Sequence, residues 1–147
     1  MKTQEITNNE DMIDSRDVMA RIEELEQERD TFFEDHNIPA SEIGNSENKD
    51  YMEWEESDEA EELKSLSSFL EQFCGNGGDE QWRGDWYPVT LIRDSYFTDY
   101  TEELLIDCGY ISKDFPSWIE IDWASTAENV KVDYTSADFD GVEYWAR

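Results

Sequence analysis

The chain has 147 residues, of which 37% are hydrophobic and 14% aromatic, so it is long enough for one domain with a real core. It carries 39 acids against 11 bases, a net charge of −28. That balance excludes free nucleic acid and anionic membrane surfaces as direct partners, and the aromatic content excludes a disordered acidic tail.

The first residues, 1–14, "MKTQEITNNEDMID", are polar and read as a disordered N-terminus without the apolar core of a signal peptide. No apolar run approaches the roughly 20 residues needed to span a bilayer, so a soluble protein of the cytoplasm is expected, the host's cytoplasm if the chain is phage-encoded. From Ser15 a helix is well signalled by "SRDVMARIEELEQERDTFFEDHN", with Ser15 as cap and Asp17 in the first turn. Val18, Ile22, Leu25 and Phe32 fall at spacings of four, three and seven, a heptad-like seam with Arg29 at its remaining position. Pro39 ends the pattern.

After a polar loop over 40–50, a second helix is predicted from about Tyr51 to Phe73, with an apolar stripe of Trp54, Leu63, Leu66, Phe69, Leu70 and Phe73. Two amphipathic helices joined in this way predict an N-terminal antiparallel hairpin, or a coiled-coil arm that dimerises, over residues 15–74. Three glycines and an asparagine in "CGNGGDEQ" mark a linker over 75–85. Residues 86–147 then read as a small α+β domain. It has a strand in "WYPVTLI", a helix in "DSYFTDYTEELLIDCG" with Asp94 or Ser95 near its cap and Gly109 past its end, a helix-like "ASTAENVKV", and a final hairpin turning at Asp140-Gly141. The expected fold class is α+β.

Few residues carry the marks of catalysis or metal binding. His36 is the single histidine, and Cys74 and Cys108 lie far apart in no metal-like spacing, which points to two reduced thiols, no metal and no cofactor. In "SADFDG", Asp138, Asp140 and Gly141 match positions three, five and six of an EF-hand loop, but Arg147 stands where the anchoring glutamate is required, so a hairpin turn is the better reading. "CGNGG" lacks the lysine of a phosphate loop. The reading is of a protein without enzymatic activity.

The charge itself is the informative feature. Residues 1–78 have a net charge of −17 and residues 79–147 one of −11, so it is not confined to a tail. "EWEESDEAEEL" packs seven carboxylates into the ten residues from Glu53 to Glu62. Side chains three and four apart on a helix lie about 5–6 Å from each other. Glu55, Glu59 and Glu62 would therefore form one row and Asp58, Glu61 and Glu62 another, with Glu24, Glu28 and Asp35 as a further row on the first helix. Duplex DNA carries a phosphate charge about every 1.7 Å of axis, with a similar spacing along one strand. Carboxylate rows on a rigid scaffold can present that pattern to a basic groove. A solvated helix face, with acids favoured by the dipole of the first turn, is the ordinary alternative. It does not explain the acidity of two dissimilar halves.

"LIRDSYFTDYTEELLIDCGYI" followed by "IDWASTAENVKVDYTSADFDGVEYWAR" resembles a recurrent C-terminal segment of short phage and mobile-element proteins. The same residues resemble the last domain of ArdA-type antirestriction proteins. The matching positions are Tyr100-Thr101-Glu102-Glu103-Leu104, Ile121-Asp122-Trp123-Ala124 and Trp145-Ala146-Arg147. The resemblance covers about a third of the chain, and the N-terminal helical part has no counterpart in it. It implies a DNA-mimicking inhibitor, commonly a homodimer, that occupies the DNA-binding groove of type I restriction–modification enzymes. The expected phosphate-mimicking acids are Glu53, Glu55, Glu56, Asp58, Glu59, Glu61 and Glu62, with Asp94, Asp99, Glu102, Glu103 and Asp107 on the later helix. The alternatives are an inhibitor of another DNA-handling protein, such as a CRISPR effector, a nucleoid protein or a recombination nuclease, and a non-inhibitory coiled-coil adaptor or structural phage protein.

Overall fold

A computed structural model describes residues 5–147. It is an α+β protein with antiparallel sheets. The chain runs through β1 (Met12–Asp14), α1 (Ser15–Asp35), α2 (Lys49–Glu55), α3 (Asp58–Glu71), β2 (Glu80–Trp82), β3 (Asp85–Tyr87), β4 (Thr90–Arg93), α4 (Phe97–Asp107), α5 (Trp123–Lys131), β5 (Thr135–Phe139) and β6 (Val142–Ala146). Four strands form one antiparallel sheet in the order β1-β4-β6-β5, and β2 pairs with β3 in a separate ribbon.

Register in the main sheet explains the two-sided core. Leu91 pairs with Ile13, and Ile92 pairs with Trp145, so neighbouring apolar residues on β4 face opposite sides. On one side Ile13, Leu91, Ala137, Phe139, Tyr144 and Ala146 meet Val18, Met19, Ile22 and Leu25 of α1 and Leu66, Phe69 and Leu70 of α3. On the other, Ile92 and Trp145 meet Phe97 and Tyr100 of α4, Ala127 and Val130 of α5, and Tyr134. Helices cover both faces, which is why Leu91 and Ile92 are both buried.

Several sequence expectations change with this arrangement. Residues 12–14, expected within a disordered N-terminus, form edge strand β1, because their backbone pairs with β4 and Arg93 N–H donates to Asp11 O at 2.8 Å. The first helix is capped by Asp14, which accepts from Arg16 N–H at 2.9 Å, and not by Ser15, whose buried hydroxyl has no hydrogen-bond partner among the described residues. The second helix is broken in two at Glu56-Ser57. The Ser57 hydroxyl accepts from Ala60 N–H at 3.2 Å and starts α3 afresh. The linker expected over 75–85 includes β2 and the start of β3, a hairpin turning at Arg83 and Gly84, both at positive φ. The seam residues Val18, Ile22 and Leu25 lie inside the first core and are not displayed on a projecting arm, while Phe32 is half-buried against Trp54 and His36.

The final hairpin follows the sequence signal closely. Asp140 at φ 49° and Gly141 at φ 88° make the two-residue left-handed turn that matches the twist of its strands. Along the free margin of β5, the Gln72 side chain donates to Asp138 O and accepts from Asp138 N–H, both at 3.0 Å. No helix among the described residues is long and apolar enough to cross a membrane.

Candidate functional site

The acidic run Glu53 to Glu62 spans two helices. Asn48 caps α2, accepting from Tyr51 N–H at 3.1 Å, and Trp54 is buried with its ring edge-on to Phe33. That anchor fixes the roll of α2 and leaves Glu53 and Glu56 exposed on either side of it. In α3 the exposed Asp58, Glu59 and Glu61 occupy the first turn, where the positive end of the helix dipole favours them.

The expected row of Glu55, Glu59 and Glu62 does not survive. The break at Ser57 puts Glu55 on a different helix, where it accepts from Tyr51 Oη at 3.2 Å and pairs with Lys64. Glu62 turns inward to a bidentate pair with Arg21, at 2.6 Å from Nε and 2.8 Å from Nη2. Arg21 is only 14% exposed in its side chain and also pairs with Glu24, which takes Glu24 out of the row proposed for α1. The hydrogen bonds it donates to Glu62 hold the Arg21 guanidinium even more firmly protonated than usual. The pair clamps α1 to α3.

On α4, Asp99, Glu103 and Asp107 recur every fourth residue and form a single exposed row, with half-buried Glu102 beside it. Glu103 accepts from Tyr96 Oη at 3.1 Å. Asp94 departs from the expectation. It sits in a 3-10 turn over Asp94–Tyr96, accepts from Lys131 Nζ and from the indole N–H of Trp145, both at 2.9 Å, and joins α5 to the sheet. Lys131 holds its carboxyl below the usual carboxylate range, and the indole adds to this.

Of the twelve acids expected from sequence, then, Glu55, Glu62 and Asp94 are engaged in ion pairs within the fold. Glu53, Glu56, Asp58, Glu59, Glu61, Asp99, Glu102, Glu103 and Asp107 form no ion pair among the described residues, although Glu61 lies one turn from Lys64 and feels its charge. The sheet separates them into two groups, one at the α2–α3 junction and one on α4, and does not bring them into one cluster.

Sequence reasoning did not place acids at helix C-termini, although it had named Asp35, Glu53, Glu55 and Asp107 for other reasons. None of α1, α2, α3 or α4 has a base in its last turn, while Glu34 and Asp35, Glu53 and Glu55, Glu71, and Asp107 stand there. Each opposes the dipole, at a cost of about 0.3–1 kcal/mol where exposed. The helix dipole accounts for the first-turn acids and not for these. Among the described residues, Asp14, Glu24, Glu26, Asp30, Glu55, Glu62, Asp94 and Glu128 stand in ion pairs, against 39 acids and 11 bases in the sequence.

The remaining candidates sit in structural roles. His36 bonds Phe32 O through Nδ1 at 2.9 Å and stacks on the Phe32 ring at 3.9 Å. Cys74 and Cys108 are unpaired. No group of three or more histidine, cysteine or acidic side chains among the described residues is placed to hold a metal ion.

So much unpaired charge makes a direct prediction. Added NaCl shortens the screening length from about 30 Å at 0.01 M to about 10 Å at 0.1 M, which relieves self-repulsion of the folded chain. The melting temperature should rise by about 3–8 °C over that range, the shift expected for roughly 1–2 kcal/mol in a chain of this size. A melting temperature that is flat or falls with salt would mean that the surface charges are not strained.

Searches of protein-family models, of curated proteins and of solved structures return no match to this chain.

Proposed function

We propose that this chain is a DNA mimic that inhibits a host DNA-binding defence protein by occupying its basic groove, with type I restriction–modification enzymes as the first target class. The observation that supports the reading most is the set of carboxylates held on helices without cationic partners, including positions where the helix dipole opposes them. Such a surface offers a basic groove the same electrostatic attraction that phosphates do. In this reading α1, α2 and α3 form an N-terminal helical hairpin laid on the sheet, the chain acts in the host cytoplasm as a phage or mobile-element product, and no bond is made or broken. The adaptor alternative loses its main support, since Val18, Ile22 and Leu25 are used within the chain's own core.

The test is competition on a purified type I restriction–modification enzyme carrying labelled duplex DNA. The chain should displace the duplex, and its affinity should fall steeply as salt rises, by the counter-ion logic that governs DNA itself. Failure to displace DNA from this enzyme at low salt would overturn the type I assignment. Displacement insensitive to salt would overturn mimicry.

A further inference from the structure

The connection between α4 and α5, residues 108–122, is longer than packing demands. The two helices touch, and helix–helix connections of this kind need only about 2–8 residues. The extra chain carries the two most exposed aromatic side chains among the described residues, Tyr110 at 79% and Trp118 at 80%, with Ile119 also exposed.

These rings are held out on ordered backbone. Gly109, at φ 79°, ends α4 in a Schellman motif: Gly109 N–H donates to Ile106 O at 3.1 Å and Tyr110 N–H to Leu105 O at 3.0 Å. The residue at the Tyr110 position of that motif commonly folds back on the helix, yet here it stands in solvent. Ile119 N–H donates to Pro116 O at 3.0 Å, and Asp122 closes the loop by capping α5 through Ser125 N–H at 3.0 Å. In the same loop Ile111, Phe115 and Ile121 are half-buried, so the exposure of Tyr110 and Trp118 is not shared by every apolar residue there.

We propose that Tyr110 and Trp118 are an aromatic anchor by which this chain docks into a cleft on a basic protein partner, the acids steering approach and the rings holding the complex. The inference rests on the reading that the partner is a basic protein. Charge chooses that occupant over a second copy of the chain: exposed Asp107, Asp114, Glu120 and Asp122 flank the rings along the chain, with Lys113 the one base in the loop. A self-interface would press like charges together, whereas a basic cleft would pair with them. Tryptophan and tyrosine are the residues that most often dominate binding energy at protein interfaces. A solvated coat has no need of them.

The experiment compares the parent chain with the Tyr110→Ala/Trp118→Ala double variant for binding to the purified type I restriction–modification enzyme, over a series of salt concentrations. Both rings are exposed, so the melting temperature should be unchanged. The variant should bind at least tenfold more weakly, through faster dissociation, with the same salt slope as the parent. A parent that binds and a variant that binds equally well would overturn the anchor and leave the charge reading standing. A parent that does not bind would overturn the type I reading and the anchor with it. If sedimentation shows the parent as a dimer and the variant as a monomer, the loop is a self-interface and the proposal is wrong.

Discussion

Reversal of Glu53, Glu56, Asp58, Glu59 and Glu61 to lysine in one chain should abolish inhibition of the target enzyme, with a loss of affinity of about 10³-fold or more at moderate salt. All five are exposed and none forms an ion pair among the described residues, Glu61 alone lying within reach of a base, Lys64. Their contribution is collective, so any one reversal should cost only a few-fold. Glu55 and Glu62 are left out because reversing them would set lysine against Lys64 and Arg21 and damage the fold. Lysine at 58, 59 and 61 meets the positive end of the α3 dipole, costing about 0.3–1 kcal/mol each, so melting curves must accompany the inhibition assay. The matched experiment reverses Asp99, Glu103 and Asp107. If that variant loses inhibition and the first does not, the active surface lies on the α4 side of the sheet. Full inhibition by both variants would rule out mimicry.

Phe69→Ala should be among the most destabilising single changes in the molecule. The Phe69 ring is fully buried, stacks on Phe139 at 4.6 Å, and meets Tyr144 and Phe73 edge-on at 5.4 and 5.7 Å. It is where α3 grips both strands of the final hairpin. Truncation removes its buried apolar surface and leaves a cavity, a loss of about 3–5 kcal/mol, set against a total of about 5–15 kcal/mol for ordinary domains. Here self-repulsion has already reduced the margin. Urea unfolding should show the midpoint fall sharply with little change in slope, and a loss under 1 kcal/mol would mean that α3 is not packed as described. Leu25→Asp belongs with this variant: Leu25 is fully buried, so a charge there unfolds the chain and says nothing about partners.

How much of this was legible in the sequence depended on whether the signal was local. The span of the first helix, though not its cap, and the Asp140-Gly141 turn were read correctly because spacing, stop signal and turn chemistry all lie within a few residues. The break at Ser57 had a local signal too, a capping residue ahead of an acidic first turn, but the continuous apolar stripe concealed it. Strand β1 had none: Met12, Ile13 and Asp14, three residues in a polar stretch, become a strand only because β4 lies beside them. The same limit applied to the site. Counting carboxylates gave the charge, but not its distribution, since Arg21 reaches Glu62 across 41 positions and Lys131 reaches Asp94 across 37. An apolar seam looks alike from sequence whether its partner is another chain or the chain's own sheet.

The Gln72 amide, set against both polar groups of Asp138, does the work of one peptide unit in a strand that is not there. An open β5 margin would be a template onto which a neighbour's backbone could zip, the usual route from a folded sheet to an aggregate. With that position occupied, β5 offers a neighbour's backbone one fewer place to pair, and the net charge of −28 opposes the approach of a second copy from that side. The β5 side of the sheet is thereby guarded twice, once by a side-chain amide and once by charge.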